Sequence, residues 1–427
     1  MTAAAEQITV AGPVALRGTL RMPGDKSVSH RALIFAALAD GTSIVSGLSN
    51  GEDVAATRRA VAAFGASVEA LPDGSLRIGG LAGVLSEPEG VIDVGNSGTG
   101  IRLLAGIAAG QPFLTVLAGD ASIHRRPMDR VTLPLRLMGA SIDGRDGGRL
   151  APLAVRGGSL QGIDYESPVA SAQVKSAILL AGLTADGETV VREPARSRAH
   201  TEEMLLAAGA DVEFDVETAT VRLRPSVLQP STWIVPGDPS QAAFWLCAAA
   251  GIAGSDVTVE GLYLGHGRVG FLAVLARMGA DLEIDTEQGR VRVRGAELRG
   301  TDVTADEIPG LIDEVPALAI AAALAQGQTR FLGAGELAVK ESNRIATVTF
   351  ELARFGARVE ALPDGLVIGG GGRLHGATAH SHGDHRIAMA MTMAGLAADG
   401  ETTVLATEAI ASSYPGFAAD LAEVTGV

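Results

Sequence analysis

The segment SVEALPDGSLRIGG at residues 67–80 returns as RVEALPDGLVIGGG at residues 358–371. Each copy predicts two short strands joined by a turn, because strand-forming residues lie on both sides of a Pro-Asp-Gly sequence. The copies lie far apart in the chain, and their similarity indicates an internal duplication. A repeat of this kind decides the fold, and it has to be followed along the whole chain.

Two series of glycines extend the repeat from one end of the chain to the other. Glycines of the first series follow apolar helix-forming sequences, at Gly41, Gly110, Gly187, Gly254, Gly327 and Gly400. Those of the second series follow amphipathic sequences, at Gly65, Gly139, Gly209, Gly279 and Gly356. Because glycine adopts the left-handed conformation without a Cβ clash, we expect each one to end a helix at positive φ. The spacing of roughly 70 residues predicts an α/β fold of six βαβαββ units, three in each of two similar domains.

The last unit lacks its strand pair, because the chain stops after the helix-forming sequence SSYPGFAADLAEV. Residues 7–24 contain strand-forming sequences, and we expect them to supply the missing strands. Both ends then belong to one discontinuous domain, residues 1–24 and 237–427, into which residues 25–236 are inserted as a second domain. The two crossings, MPGDK and VPGDPS, have turn sequences and predict a hinge, with the active site in the cleft between the domains.

Composition excludes several classes of protein. The chain has 427 residues, of which 47% are hydrophobic, and 55 glycines, which is typical of a soluble α/β protein. It has no apolar run long enough to span a membrane and no leader-like start, which predicts a cytoplasmic protein. The net charge of −15 argues against a nucleic-acid partner. The single cysteine, Cys247, lies in an apolar helix sequence and is expected to be a core residue.

Basic residues of this acidic chain concentrate in short motifs that open predicted helices. The motifs are DKSVSHR (25–31), NSGTGIR (96–102), RRPMDR (125–130), SAQVK (171–175), RSRAHTEE (196–203), KESNR (340–344) and GDHR (383–386). Helix N-termini offer unpaired N–H groups and the positive end of the helix dipole. Any one motif could be an ordinary cap or an exposed charge, but together they predict a site for a multiply charged anion.

Two motifs invite other interpretations. GNSGTG at residues 95–100 has neither P-loop nor dinucleotide-binding spacing. HSHGDH at residues 380–385 contains three histidines, which we expect to be surface residues of a turn rather than zinc ligands.

The motifs together resemble the 5-enolpyruvylshikimate-3-phosphate (EPSP) synthase family over essentially the whole chain. In order they are PGDKSVSHRAL, GNSGTGIRLL, RRPMDRV, SAQVKSAILLAGL, IDEVPALAIAAA, KESNR, GDHRIAMA and SYPGF. The family fold has two domains of three βαβαββ units, which agrees with the repeat count. The resemblance implies transfer of the enolpyruvyl group of phosphoenolpyruvate to shikimate 3-phosphate in aromatic amino acid biosynthesis. It implies these two small-molecule substrates, a monomer, and no metal or redox cofactor.

The resemblance also implies roles for motif residues. Those implied for shikimate 3-phosphate are Lys26, Ser27, Arg31, Ser171, Ala172 through its backbone, Gln173, Arg198, Asp313 and Lys340. Those implied for phosphoenolpyruvate are Lys26, Gly98, Arg126, Gln173, Arg344 and Arg386. The implied catalytic residues are Lys26, Asp313 as base on the attacking 5-hydroxyl, and Glu341 as the acid that protonates the methylene carbon. Arginine forks suit the carboxylate and phosphate of such substrates.

The implied chemistry fits these residue types. Protonation of phosphoenolpyruvate at C3 makes C2 electrophilic, the 5-hydroxyl adds there, and phosphate leaves from a tetrahedral intermediate. An acid, a base and a cluster of cations suffice for these steps.

Three positions depart from many family members. Ala172 stands where a second serine precedes the glutamine, Glu336 replaces an asparagine, and Ser412 replaces a late lysine. SAQVKSA, RSRAHTE and IDEVP resemble a subgroup that includes glyphosate-tolerant enzymes. Its best-known tolerant member has alanine at the position of Gly98, so we expect glyphosate to inhibit this chain in competition with phosphoenolpyruvate.

Two alternative functions share parts of the pattern. UDP-N-acetylglucosamine enolpyruvyl transferases have the same fold and the same phosphoenolpyruvate chemistry, but they normally carry a cysteine on a mobile loop, unlike Cys247. A noncatalytic anion-binding repeat protein would need the cations but neither Asp313 nor Glu341. Phosphate release from phosphoenolpyruvate with either acceptor distinguishes these functions.

Overall fold

A computed structural model of the chain describes residues 6–426. Helices in this part are α1 (Lys26–Leu38), α2 (Glu52–Ala63), α3 (Gly98–Ala109), α4 (Asp129–Leu137), α5 (Arg145–Gly148), α6 (Ala172–Gly182), α7 (His200–Ala207), α8 (Pro239–Gly251), α9 (Gly270–Arg277), α10 (Val315–Leu324), α11 (Arg344–Arg354), α12 (His385–Ala397) and α13 (Phe417–Thr425). Short 3₁₀ helices lie at Ile123–Arg125, Ile308–Gly310, Ile312–Glu314, Gly335–Val339 and Thr407–Ser412.

The strands of the same part are short. They are β1 (Gln7–Gly12), β2 (Arg17–Arg21), β3 (Thr42–Ser46), β4 (Ser67–Ala70), β5 (Leu76–Gly79), β6 (Ile92–Asp93), β7 (Leu114–Ala118), β8 (Ser141–Gly144), β9 (Leu150–Arg156), β10 (Asp164–Glu166), β11 (Thr189–Arg192), β12 (Val212–Asp215), β13 (Thr220–Leu223), β14 (Thr232–Ile234), β15 (Asp256–Glu260), β16 (Asp281–Asp285), β17 (Arg290–Arg294), β18 (Asp302–Val303), β19 (Gln328–Phe331), β20 (Arg358–Leu362), β21 (Gly365–Gly369), β22 (Thr378–His380) and β23 (Gly400–Leu405).

Residues 6–426 form six small sheets, one for each predicted unit. Five sheets share one pattern, in which a parallel edge strand precedes three antiparallel neighbours: β14-β3-β5-β4, β6-β7-β9-β8, β10-β11-β13-β12, β2-β15-β17-β16 and β18-β19-β21-β20. The sixth sheet has the order β22-β23-β1. The predicted α/β fold of six βαβαββ units is confirmed, and the repeated Pro-Asp-Gly segments form the hairpins β4-β5 and β20-β21.

The N-terminal strands are divided between two sheets. β1 pairs antiparallel with β23, with Gln7 opposite Leu405, and supplies one missing strand of the sixth unit. β2 instead pairs parallel with β15, so the expectation that residues 7–24 supply both missing strands is wrong for the second one. β14, which only the sequence VPGD separates from α8, pairs with β3 in the first sheet and not with a strand of the fourth sheet. The fourth sheet therefore takes its parallel edge strand from β2, as the first sheet takes its own from β14.

The glycine stops behave as predicted with one exception. All five of the second series and five of the first series have positive φ, but Gly110 has φ −81°. The Gly110 and Gln111 N–H groups donate to the carbonyls of Ile107 and Ala108. These 3₁₀-type bonds close the end of α3 without a left-handed residue.

Each sheet is covered by one almost completely buried helix: α1, α3, α6, α8, α10 or α12. α3 packs against α1 and α6 in one core, and α8, α10 and α12 pack against one another in a second core. The basic motifs 25–31, 96–102, 171–175 and 383–386 lie at the starts of four of these helices.

Contacts divide the chain into two compact units. Residues 24–235 form one, here called the inserted unit, and residues 6–23 with 236–426 form the other, here called the terminal unit. Nowhere in residues 6–426 is a helix both long and apolar enough to cross a lipid bilayer.

Candidate functional site

The start of α1 holds Lys26 against a buried carboxylate. Asp25 caps the helix, because its Oδ1 atom accepts the Val28 N–H at 2.9 Å. The Lys26 Nζ atom lies 3.0 Å from Oδ2 of Asp53 in α2, and the two side chains are 15% and 7% exposed. Ser27 is half-buried beside them. The ammonium of Lys26 is thus oriented by the protein and remains partly accessible.

Arg31, one turn further along α1, is buried and connects three helices. Its guanidinium donates to the carbonyl of Ser27 at 2.9 Å, to Oγ of Ser176 in α6 at 2.6 Å, and to Oγ1 of Thr201 in α7 at 2.7 Å. Sequence comparison implied a substrate contact for Arg31. In the structure these three donors are directed to protein oxygens.

Gly98 and Arg126, both implied for phosphoenolpyruvate, lie together. Ser97 caps α3 by accepting the Gly100 N–H at 2.9 Å, and Gly98 is the first helical residue. A Cβ atom added to Gly98 would lie 2.4 Å from Nη1 and 2.6 Å from Nη2 of Arg126. The guanidinium therefore covers the Gly98 backbone at a distance that only glycine allows.

Arg102 connects these residues to Gln173, a role that sequence reasoning missed. It donates to the carbonyls of Gly98 and Pro127 at 3.3 and 3.1 Å and to Oε1 of Gln173 at 2.5 Å. Gln173 in turn donates to Oγ1 of Thr99 at 2.9 Å. The available signal was spacing, because a residue four positions after Gly98 shares its face of the helix.

His30 is a second missed residue at this place. Its Nδ1 atom lies 2.7 Å from Oγ1 of Thr57, and its Nε2 atom lies 3.3 Å from Oγ of Ser97. Burial, and then the charges of Lys26 and Arg31, hold the pKa of His30 well below its usual value. A neutral imidazole thus joins α1 and α2 to the cap of α3.

The start of α6 carries the segment implied for shikimate 3-phosphate. Ser171 caps the helix, Ala172 is its first residue, and the Ser171 N–H donates to Oε1 of Glu193 at 2.9 Å. Arg198 is half-buried in the segment that leads from β11 to α7. Lys175, quoted in the motif 171–175, is 2% exposed and lies between Glu193 and Glu202.

In the terminal unit, Asp313 and Glu341 share one buried arginine. Arg344, the first residue of α11, lies with Nη2 2.6 Å from Oε2 of Glu341 and Nη1 3.4 Å from Oδ1 of Asp313. Lys340 lies with Nζ 3.3 Å from the same Oδ1 atom. The structure thus brings together the implied base, the implied acid and two of the implied cations.

Asp384 anchors this group, and sequence reasoning assigned it no role. Its carboxylate accepts from Nε and Nη2 of Arg344 at 2.8 and 3.2 Å, from Oγ of Ser342 at 3.0 Å, and from the Arg386 N–H at 2.9 Å. Arg386 donates from Nη1 to the Asp313 carbonyl at 2.8 Å. The signal was present in the motif GDHR, since aspartate before a helix is a common cap.

Ionisation at this anchor follows from opposing effects. Burial alone would lower the pKa of Arg344, but the charges of Asp384 and Glu341 raise it above its usual value. Burial would raise the pKa of Asp384, but the charge of Arg344 holds it below its usual range. Both groups are therefore charged at neutral pH, as a buried pair must be to remain favourable.

The three histidines of residues 380–385 differ in exposure. His380 and His382 are exposed as expected, whereas His385 is buried as the first residue of α12, so the surface prediction is wrong for it. Its place at the start of a buried helix explains this. Within residues 6–426, no three His, Cys, Asp or Glu side chains group as metal ligands would.

Comparison with known proteins connects this arrangement to one family. The model of the EPSP synthase (3-phosphoshikimate 1-carboxyvinyltransferase) family matches residues 10–421. A 3-phosphoshikimate 1-carboxyvinyltransferase of Desulforamulus reducens is 51% identical over 96% of this chain and 97% of its own length. One of Pelotomaculum thermopropionicum is 52% identical over 96% of each chain.

A solved structure extends the likeness to the fold. EPSP synthase from Acinetobacter baumannii matches with a TM-score of 0.85 and 41% identity, covering 99% of this chain and 98% of that one. The match includes both units and all of the motifs that carry the candidate site. The chain is thus a member of the EPSP synthase (3-phosphoshikimate 1-carboxyvinyltransferase) family.

Proposed function

We propose that this chain transfers the enolpyruvyl group of phosphoenolpyruvate to the 5-hydroxyl of shikimate 3-phosphate and releases phosphate. The proposal requires residues of both units to bind the same pair of substrates. The inserted unit supplies most of the binding groups, and the terminal unit supplies the groups that move protons.

The observation that carries the proposal is the shared arginine of the terminal unit. Asp313 and Glu341 both contact Arg344, which is 1% exposed and fixed from behind by Asp384. An addition reaction on phosphoenolpyruvate needs a base for the attacking hydroxyl and an acid for the methylene carbon. Two carboxylates held on one rigid cation satisfy that need, because both keep a defined position while the substrates react.

The negative charge of the substrate affects whether Glu341 is protonated. A guanidinium 2.6 Å from Glu341 favours the ionised carboxylate. The negative charges of phosphoenolpyruvate, bound beside Arg344 and Arg386, offset that attraction and favour the protonated form that an acid requires. Asp313 then takes the proton of the attacking 5-hydroxyl as it adds at C2. In the elimination, the C3 methyl group returns a proton to the ionised Glu341, the carbon–carbon double bond reforms and phosphate leaves, stabilised by the cations.

Different groups of the inserted unit fit the two anionic substrates. Arg126, lying over Gly98, presents a planar fork to the phosphoenolpyruvate carboxylate or phosphate. Lys26 is partly accessible and can reach both substrates. The start of α6, with Ser171 and the Ala172 backbone, offers N–H and hydroxyl donors to the phosphate of shikimate 3-phosphate.

The UDP-N-acetylglucosamine alternative receives no support from Cys247. This thiol is completely buried in α8, and burial, followed by the charge of Glu314, raises its pKa well above the usual value. A thiol of this kind is unreactive. It cannot take the part of an exposed loop cysteine.

Phosphate release from phosphoenolpyruvate tests the proposal directly. We expect release with shikimate 3-phosphate as acceptor and only background release with UDP-N-acetylglucosamine. Binding of both anions without any release would instead favour a noncatalytic anion-binding protein. We further propose that the enzyme acts as a monomer in the cytoplasm, which sedimentation analysis and cell fractionation test.

A further inference from the structure

A buried ion cluster lies behind the start of α6, outside the residues implied to contact substrate. The Lys175 Nζ atom lies 2.8 Å from Oε2 of Glu193 and 2.6 Å from Oε1 of Glu202. All three side chains are at most 4% exposed. Burying charges is costly, and a well-packed apolar trio is often as stable. Stability alone therefore does not explain the cluster.

Each member belongs to a different segment of the inserted unit. Lys175 lies in the first turn of α6, Glu193 directly follows β11, and Glu202 lies in the first turn of α7. A neighbouring pair of residues also connects α6 and α7, since the hydroxyls of Ser176 and Thr201 lie 2.6 Å apart. The ammonium thus fixes two segments against the start of α6.

Glu193 extends this restraint to the residues proposed to bind phosphate. Its Oε1 atom accepts the Ser171 N–H at 2.9 Å, and its Oε2 atom accepts the Ser197 hydroxyl at 2.9 Å. Ser171 directly precedes Ala172 and Ser197 directly precedes Arg198. One carboxylate therefore connects both segments that are proposed to meet shikimate 3-phosphate.

We propose that Lys175, Glu193 and Glu202 are positioning residues, which hold Ser171, Ala172 and Arg198 in the geometry that receives the phosphate of shikimate 3-phosphate. This role rests on the function proposed above. None of the three has to touch the substrate. Their loss should weaken recognition of shikimate 3-phosphate more than that of phosphoenolpyruvate, because Gly98 and the Arg126 segment are bonded to Arg102 instead.

The first test is the kinetics of Lys175→Met, with each substrate varied in turn. We expect the KM for shikimate 3-phosphate to rise about tenfold, the equivalent of about 1.4 kcal/mol. The KM for phosphoenolpyruvate and kcat should stay within about threefold of wild type, as expected for a lost binding contact. Equal changes in both KM values, or an unchanged KM for shikimate 3-phosphate, would overturn the proposal.

A second variant separates positioning from folding. Lys175→Met leaves two buried carboxylates together and can destabilise the inserted unit. Lys175→Met/Glu202→Gln removes one of those charges and should recover most of the melting temperature without recovering the KM for shikimate 3-phosphate. A KM that recovers together with the melting temperature would show a merely structural role.

Glu193 offers a conservative comparison at one position. Glu193→Gln retains an oxygen that can accept the Ser171 N–H, whereas Glu193→Leu has none. We expect the KM for shikimate 3-phosphate to rise more in the leucine variant. Equal values in both variants would contradict a connection through Ser171.

Gln111→Met is the matched control. Gln111 is buried in the same unit and bonds to Leu85 and Gly83 beyond the other end of α3. Its replacement should lower the melting temperature and leave both KM values unchanged. A rise in the KM for shikimate 3-phosphate here would show that any destabilisation has this effect, which would overturn the proposal.

Calorimetric binding of shikimate 3-phosphate in the absence of phosphoenolpyruvate keeps the two proposals apart. Wild type that binds and turns over, with Lys175→Met binding equally well, would overturn the positioning role and leave the proposed function intact. Wild type that neither binds nor releases phosphate would overturn the function, and the positioning role with it.

Discussion

The two units have the same fold but use their buried arginines in different ways. In the inserted unit, Arg102 donates to three neutral oxygens, those of Gly98, Pro127 and Gln173. In the terminal unit, Arg344 meets three carboxylates, those of Asp313, Glu341 and Asp384. Under the proposed function, the first arrangement orders groups that bind anions, and the second holds the carboxylates that transfer protons.

This comparison leads to a kinetic expectation. Replacements in the group around Arg344 should act mainly on kcat, and replacements at the helix starts of the inserted unit should act mainly on KM. A replacement in the Arg344 group that changes mainly KM, or one at a helix start of the inserted unit that changes mainly kcat, would contradict this distinction between the units.

The largest expected effect follows from removing the acid or the base. Asp313→Ala and Glu341→Gln should each lower kcat by about 10²- to 10⁴-fold, because a positioned proton-transfer group contributes that much. Binding of shikimate 3-phosphate, measured by calorimetry, should change far less. Glu360→Gln, an exposed carboxylate on β20, is the control and should have wild-type kinetics. Turnover within a few-fold of wild type in either site variant would remove that assignment.

The next effect concerns the anchor of Arg344. Asp384→Asn leaves this arginine without the charge of its most buried partner and should lower the free energy of unfolding at neutral pH by about 3 to 5 kcal/mol. Because the pKa of Asp384 is lowered in the folded state, its contribution is present above the unfolded pKa and is lost as the pH falls through the folded value. Urea unfolding should therefore show the difference between wild type and variant shrinking below about pH 4. A difference that stays constant with pH would contradict the ion pair.

Much of the fold could be predicted because its signals are local. A glycine that ends a helix and a Pro-Asp-Gly turn between strands act within a few residues, and they recur in each unit. The placement of β2 could not be predicted in this way, since its partner β15 lies far along the chain. Gly110 shows a second limit, because a 3₁₀ ending uses the same sequence without positive φ.

The candidate site shows the same difference between local signals and contacts of distant residues. Residues inside the basic motifs could be found, because helix starts and charge are visible in sequence. Their buried partners were not visible in the same way. Glu193 lies outside the motifs and is an ordinary acidic residue until folding brings it to Lys175, and Asp384 could be predicted as a helix cap but not as the partner of Arg344. Arg31 is the intermediate case, found by its motif but directed to protein oxygens in a way that the motif does not specify.

Gly98→Ala tests the phosphoenolpyruvate-binding groups of the inserted unit. It should have a smaller effect than the replacements of the acid, the base or Asp384. The added methyl would lie 2.4 to 2.6 Å from the Arg126 guanidinium, which has to move. We expect the KM for phosphoenolpyruvate to rise by an amount equivalent to about 1 to 3 kcal/mol, with kcat less affected. Glyphosate, which is slightly longer than the substrate, should be excluded more strongly than phosphoenolpyruvate.

Inhibition constants for glyphosate in wild type and Gly98→Ala complete that test. A wild type that glyphosate does not inhibit, or an alanine variant that is no less sensitive, would show that Gly98 does not determine the space available to glyphosate. Gly74→Ala offers a control for adding a methyl to glycine, because no atom lies within 4 Å of its Cβ position. Its positive φ of 83° can lower stability, but it should leave both KM values unchanged.

The smallest effect is a pH dependence of stability that comes from His30. Burial, and then the charges of Lys26 and Arg31, keep its folded-state pKa well below the value of about 6.5 that it has when unfolded. The stability it contributes is therefore fully present above the unfolded pKa and is lost as the pH falls towards the folded value, by up to about 1.4 kcal/mol per pH unit. His30→Gln cannot titrate, so wild type should lose more stability than this variant between about pH 7.5 and about pH 5.5. Urea unfolding at both pH values measures this, with exposed His375→Gln as the control that should follow wild type. Equal losses in wild type and His30→Gln would mean that the imidazole takes up a proton as readily in the folded chain as in the unfolded one.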